Sequence, residues 1–144
     1  MTRVLLVNTQ SPYGSEVKKN SWIRMGLAYL SASLKTNGHI VDLADIRTMK
    51  NINNVISKVS LFKPDLVCIT ALTAEVGEAI AIGCEIKKYN PEIHTMIGGI
   101  HASIAPEDFK KAGCFDFIIR GEGEITVPEI ASNLAMYHKF PSVI

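Results

Sequence analysis

Hydrophobic positions along this chain follow two alternating rhythms. Val4 to Val7 (VLLV) is a short unbroken apolar run, the pattern of a strand covered on both faces. Ile23, Leu27, Leu30 and Leu34 then recur at helical spacing, and Asn37-Gly38 predicts the stop, because glycine accepts the left-handed conformation there. A second strand is expected over Ile40 to Ala44. Ile52, Val55, Ile56 and Val59 mark the next helix, which Pro64 prevents from continuing.

The same alternation fills the rest of the chain. Leu66 to Thr70 (LVCIT) reads as a third strand, and Val76, Ala79, Ile80, Gly83 and Ile86 outline a third helix, with Glu75 and Glu78 near its positive end. Asn90-Pro91 ends that helix, and Ile93 to Ile97 forms the fourth strand. Pro106, Glu107 and Asp108 open a short helix, and Phe115 to Ile119 is the fifth strand. Thr126 and Glu129 have the spacing of a capping box for a last helix through Tyr137.

Strands alternating with helices predict an α/β domain with an open, mostly parallel sheet and helices on both faces. Right-handed crossovers then favour the flavodoxin-like, Rossmann-like doubly wound order 2-1-3-4-5, in which ligands bind at the strand carboxyl ends. The loops placed there are Asn8 to Asn20, Thr70 to Ala74, Gly98 to Ser103 and Arg120 to Glu124. The first is unusually long, about 14 residues up to Ser21, against the common ~4–6. MIGGIHAS (Met96 to Ser103) and RGEGEIT (Arg120 to Thr126) put glycines where the backbone must turn sharply or approach a ligand closely.

Composition narrows the function classes. With 144 residues, 47% of them hydrophobic, one core and one domain over residues 1–144 are expected. Lys and Arg number 15 against 14 Asp and Glu, so no basic face for nucleic acid is indicated. No apolar run reaches the ~20 residues of a membrane span, and the opening residues lack a signal-peptide pattern, so a cytoplasmic location is expected. Cys68, Cys84 and Cys114 have neither zinc-site nor iron–sulfur spacing, and Cys68 sits in a strand as a small core residue. No catalytic residue and no metal ligand is assigned.

Four stretches, read together, resemble a known family: MGLAYLSASLKTNGHIVDLAD (Met25 to Asp45), KPDLVCIT (Lys63 to Thr70), IGGIHASIAPED (Ile97 to Asp108) and FDFIIRGEGEIT (Phe115 to Thr126). They are similar to the amino-terminal cobalamin-binding domain of cobalamin-dependent radical S-adenosylmethionine enzymes. Members of that family include methyltransferases and the anaerobic oxidative cyclase of bacteriochlorophyll synthesis. The resemblance implies cobalamin as cofactor, and a barrel in cis that carries S-adenosylmethionine and a [4Fe–4S] cluster. This chain would then be a fragment without catalysis of its own, whose exposed barrel-facing surface invites self-association.

The implied cofactor site combines residues from all four loops. Gly98 and Gly99 leave room for the corrinoid's nucleotide tail, while Thr70, Ala71, Leu72 and Thr73 line its slot, with the Thr70 hydroxyl available to the benzimidazole. His101, Gly121, Glu122 and Gly123 border it, and Asn8, Thr9, Gln10 and Tyr13 represent the first loop. Corrinoid carriers place an Asp-any-His-any-any-Gly motif in that loop; here Asn8 to Gly14 contains no histidine, so cobalt is expected without a protein imidazole below it.

Two other readings compete. A flavin or nucleotide binder would use Thr9, Ser11 and Ser15 for phosphate, but no GxGxxG or P-loop pattern is present. A receiver-like signalling domain would need an aspartate ending the third strand, where Thr70 stands.

Overall fold

The structure is a computed structural model and describes residues 1–10, 24–137 and 142–143. Strand β1 (Arg3–Asn8) leads to helix α1 (Met25–Thr36), β2 (Ile40–Asp45), a single-turn α2 (Ile46–Met49), α3 (Ile52–Phe62) and β3 (Leu66–Thr70). A 3₁₀ turn at Thr73–Glu75 precedes α4 (Val76–Tyr89), which is followed by β4 (His94–Gly98), α5 (Ile100–Ile104), α6 (Pro106–Ala112) and β5 (Phe117–Ile118). Then come α7 (Thr126–Ser132), a 3₁₀ turn at Leu134–Met136, and β6 (Ser142–Val143).

All strand pairs are parallel, and the sheet order is β2-β1-β3-β4-β5-β6. The predicted 2-1-3-4-5 order is present, extended at one edge by a two-residue strand that pairs Ser142–Val143 with Phe117–Ile118. Side chains divide between the two faces by parity. Leu5, Val7, Val67, Ile69 and Ile97 pack against Val55 and Val59 of α3 and Ala79, Ile82 and Ile86 of α4. Val4, Leu6, Leu66, Cys68 and Met96 pack against Leu27 and Leu34 of α1 and Val127 and Ile130 of α7. Both faces are therefore apolar, which is why the central strands read as unbroken hydrophobic runs.

Several predicted stops hold for local reasons. Helix α1 ends at Asn37, with Gly38 at φ 82°. Asn51 caps α3 by accepting from Asn54 N, and Lys63 closes it in the left-handed conformation immediately before Pro64. Helix α6 has Pro106 in its first turn, acids at its start, Lys110 and Lys111 at its end and Gly113 at φ 70° beyond it.

Elsewhere the structure departs from the pattern. Thr126 and Glu129 form no capping box: Thr126 is already helical, and Ile125 occupies the cap position without a side-chain bond. That helix closes at Ser132, where Asn133 receives no helical continuation and a 3₁₀ turn follows. Most of the expected Gly98 to Ser103 loop is taken up by the short helix α5, Ile100–Ile104. No described helix is long and apolar enough to cross a membrane.

Candidate functional site

At the carboxyl edge of the sheet, the ends of β1 and β2 are joined by a polar cluster. The Asn8 amide lies between Asp45 and Arg47, its oxygen turned to accept from Arg47 Nε at 3.1 Å. Arg47 Nε donates to Asp45 Oδ1 at 2.9 Å. Burial alone would raise Asp45, but the hydrogen bonds and charge of Arg47 outweigh it and hold its carboxyl below the ordinary range.

Thr9 turns the other way. Its hydroxyl lies 2.6 Å from the Thr70 carbonyl and 2.9 Å from Glu75 Oε2, and Gln10 N donates to Glu78 Oε1 at 2.9 Å. Glu75 is only 3% exposed; it also accepts from Leu72 N and pairs with Arg24, the residue that opens α1. Burial, with Glu75 adding like-charge repulsion, pushes the Glu78 carboxyl above its ordinary value. Asn8 and Thr9 are thus committed to the protein's own polar network.

The two glycines after β4 serve different ends. Gly99 has φ 100° and ψ −174°, a conformation essentially restricted to glycine. A Cβ there would stand 2.8 Å from Thr70 Oγ1 and 2.9 Å from the Ala71 carbonyl oxygen. Ala71 N donates to the Gly98 carbonyl at 3.2 Å, and His101 N donates to the Ala71 carbonyl at 3.4 Å, so the turn is sewn onto the end of β3. Gly98 is less constrained: a Cβ there would meet only Ile119 Cβ, at 3.8 Å.

His101 is buried and holds the next layer. Its Nε2 lies 2.8 Å from Asp108 Oδ2 and its Nδ1 3.2 Å from Thr73 Oγ1, while its ring meets Phe109 edge-on. The loop after β5 is tied down by Gly121 N donating to Ser103 Oγ at 2.8 Å, and by Ser33 Oγ donating to the Glu124 carbonyl at 2.5 Å.

These ties leave a slot of about 440 Å³ between the sheet and α1 and α7. Cys68, Met96, Leu27, Leu30, Ile119 and Val127 line its apolar part, and Arg24, Thr70, Leu72, Gly98, Gly99 and the Gly121–Glu124 loop line it toward the strand ends. Parity explains the floor: Cys68 lies two residues before Thr70, and Met96 two before Gly98, so each pair projects to one face. The Cys68 sulfur lies 3.7 Å from the Met96 sulfur, and burial pushes the thiol up, leaving it neutral and unreactive. A second cavity, about 520 Å³, lies at the opposite sheet edge against Thr2, Pro64, His94 and Ala131, away from the glycine loops.

Of the residues singled out in the sequence, the slot gathers Thr70, Leu72, Gly98, Gly99, Gly121, Glu122 and Gly123. It does not gather Asn8, Thr9, Gln10, Ala71, Thr73 or His101, and Tyr13 lies outside the described residues. The sequence reading missed Arg24 and the α1 face, Leu27 and Leu30, together with the floor of Cys68 and Met96. Counting back by twos from Thr70 and Gly98 would have found the floor.

The family profile described as "B12 binding domain" matches residues 16–131. The chain belongs to the B12-binding domain family. This B12-binding domain is 34% identical over 126 residues to the anaerobic magnesium-protoporphyrin IX monomethyl ester cyclase of Rubrivivax gelatinosus, a match covering 85% of the chain and 22% of that protein. It is 32% identical over 124 residues to an uncharacterized methyltransferase of Pyrococcus horikoshii, covering 83% of the chain and 26% of that protein. The chain therefore spans about a quarter of these curated relatives or less. Among solved structures, the cobalamin-dependent S-adenosylmethionine radical enzyme OxsB, with aqua-cobalamin and S-adenosylmethionine bound, superposes with a TM-score of 0.79 at 21% identity. That match covers 96% of this chain and 19% of OxsB and establishes a shared fold.

Proposed function

We propose that this domain holds cobalamin with the nucleotide tail in the slot and the corrin ring over the strand-end loops. The observation that carries this reading is the slot itself: an apolar depth walled by Cys68, Met96 and Val127, opening between Thr70 and Gly98 at the strand ends. The fit is chemical as well as spatial. An aromatic base is matched by the apolar lining. The Thr70 hydroxyl, which makes no hydrogen bond to another described residue, can donate to a ring nitrogen.

The chain's own residues act here by binding and positioning. Gly99 lets the β4 turn lie against Thr70, Gly98 keeps the slot open, and His101 braces Thr73 against α6. With Asn8 and Thr9 engaged by Arg47 and Glu75, and no histidine in the sequence between Asn8 and Gly14, this loop would offer a bound cobalt no protein imidazole. When bound, the cofactor supplies a cobalt centre able to carry a methyl group. We assign the domain to a longer polypeptide with a radical S-adenosylmethionine barrel, of methyltransferase or oxidative cyclase type, in which S-adenosylmethionine and the [4Fe–4S] cluster belong to the barrel. Three free cysteines fit a reducing, cytosolic setting.

Titration with hydroxocobalamin, followed by the visible spectrum and the melting temperature together, tests the reading. Saturable binding with a raised melting temperature is expected. Failure to bind, both in this chain and in the whole polypeptide that carries it, overturns it.

A further inference from the structure

We propose that Arg24 is a cofactor-contacting residue whose Nη1 donates a hydrogen bond to a neutral amide carbonyl at the corrin periphery. The inference rests on the cobalamin reading above and adds to it a residue and the type of group that residue recognises.

Arg24 stands at the start of α1 and lines the slot, with its side chain 26% exposed. One half of its guanidinium is fully used: Nη2 pairs with Glu75 and reaches the Thr9 carbonyl at 3.5 Å. Glu75 is in turn immobilised by Thr9 Oγ1 and Leu72 N, so the guanidinium plane is anchored. The other half is not used. Nη1 is buried and has no hydrogen-bond partner among the described residues. A buried, charged N–H without an acceptor is costly and calls for an explanation, and the rigid fork of arginine means that anchoring one amino group aims the other.

The charge balance specifies the acceptor. Arg24 is the only cation among the described residues lining the slot, and Glu75 already neutralises it. Glu122 and Glu124 also line the slot, and Glu78 lies close enough to Glu75 to feel its charge. A phosphodiester brought to Nη1 would meet this carboxylate surplus. A neutral carbonyl meets none of that repulsion and accepts equally well, and the corrin ring is fringed with acetamide and propionamide groups.

The test compares hydroxocobalamin with cobinamide, which keeps the ring amides but lacks the nucleotide and its phosphodiester. Arg24→Lys keeps a cation for Glu75 and removes the second amino group. We expect the variant to weaken both corrinoids by about tenfold or more, with the melting temperature of the unliganded protein unchanged. Should the lysine variant be unstable, the double variant Arg24→Met, Glu75→Gln removes both charges together and is expected to show the same loss. Wild-type binding that Arg24→Lys leaves intact overturns the inference. A loss confined to cobalamin also overturns it, by placing Arg24 on the tail phosphate. Absence of corrinoid binding by the wild-type sequence, both in this chain and in the whole polypeptide that carries it, instead sinks the cobalamin reading on which the inference stands.

Discussion

Gly99 and Thr70 occupy the same space economy at the head of the slot: a Cβ on the glycine would stand 2.8 Å from the threonine hydroxyl oxygen. The absence of a side chain at position 99 is what allows the end of β3 to present Thr70 where it does. Gly98, one residue earlier, faces the slot and has open space around its missing Cβ apart from Ile119. Two adjacent glycines therefore differ: the backbone requires Gly99, and Gly98 leaves the slot open.

Gly99→Ala is expected to destabilise the protein by about 2 kcal/mol or more, through the forced conformation and the clash with Thr70 and Ala71. Urea unfolding measures it, with Gly98→Ala as a near-neutral comparison. Equal stability of the two variants would contradict the division of labour between these glycines.

Gly98→Val should leave the unliganded melting temperature close to wild type, since valine suits a strand end and its Cβ meets only Ile119 at 3.8 Å. Its methyl groups enter the slot, and hydroxocobalamin affinity should fall about tenfold or more. Undiminished binding would place the tail somewhere other than between Thr70 and Gly98.

Glu78 and Asp45 should respond to pH in opposite senses. Burial and Glu75 raise the Glu78 carboxyl, so folding is penalised once pH climbs through its shifted range and the buried group must ionise. Glu78→Gln therefore raises the melting temperature at neutral pH and has little effect below pH ~4. Arg47 outweighs burial and lowers Asp45, whose stabilisation is present above its ordinary value of 3.8 and is lost as pH falls through the depressed range. Asp45→Asn should accordingly lower stability at neutral pH, and the deficit should shrink in acid. Calorimetric melts across that range check both signs.

Gly83→Ala tests packing against propensity. Alanine in the interior of α4 favours the helix by about 1 kcal/mol. A Cβ there would nevertheless lie 2.8 Å from two ring atoms of Phe115, which is buried and meets Phe109 edge-on. Overpacking should win, with a net loss of about 1–3 kcal/mol in guanidinium unfolding. A stabilised variant would mean that the Phe115 ring can move aside.

Much of the slot's strand-end rim is legible in residue order because its parts are local. Thr70, Gly98 and the Gly121–Gly123 turn each follow an apolar run directly, and a doubly wound sheet brings strand ends to one edge. Arg24 carries no local signal of a place in the slot, because its position is set by Glu75, 51 residues away. Asn8 and Thr9 lie at the same sheet edge but face inward, toward partners on β2 and beside α4 that no local pattern reveals. His101 follows the double glycine in the chain, yet it braces Thr73 and Asp108 outside the slot.

What the residue order determined by itself was the alternation of strands and helices, the helix stops at Gly38 and Pro64, and the central order of the sheet. Periodicity and backbone sterics act within a few residues and leave their marks locally. The tertiary structure decided which polar groups face each other and which are left over. Only there do Arg24 and Glu75 meet, do Cys68 and Met96 become one floor, and does Ser142–Val143 find β5 as a sixth strand. Those outcomes depend on side-chain direction, charge pairing and backbone strand pairing between segments distant in the chain, and a linear pattern specifies none of them.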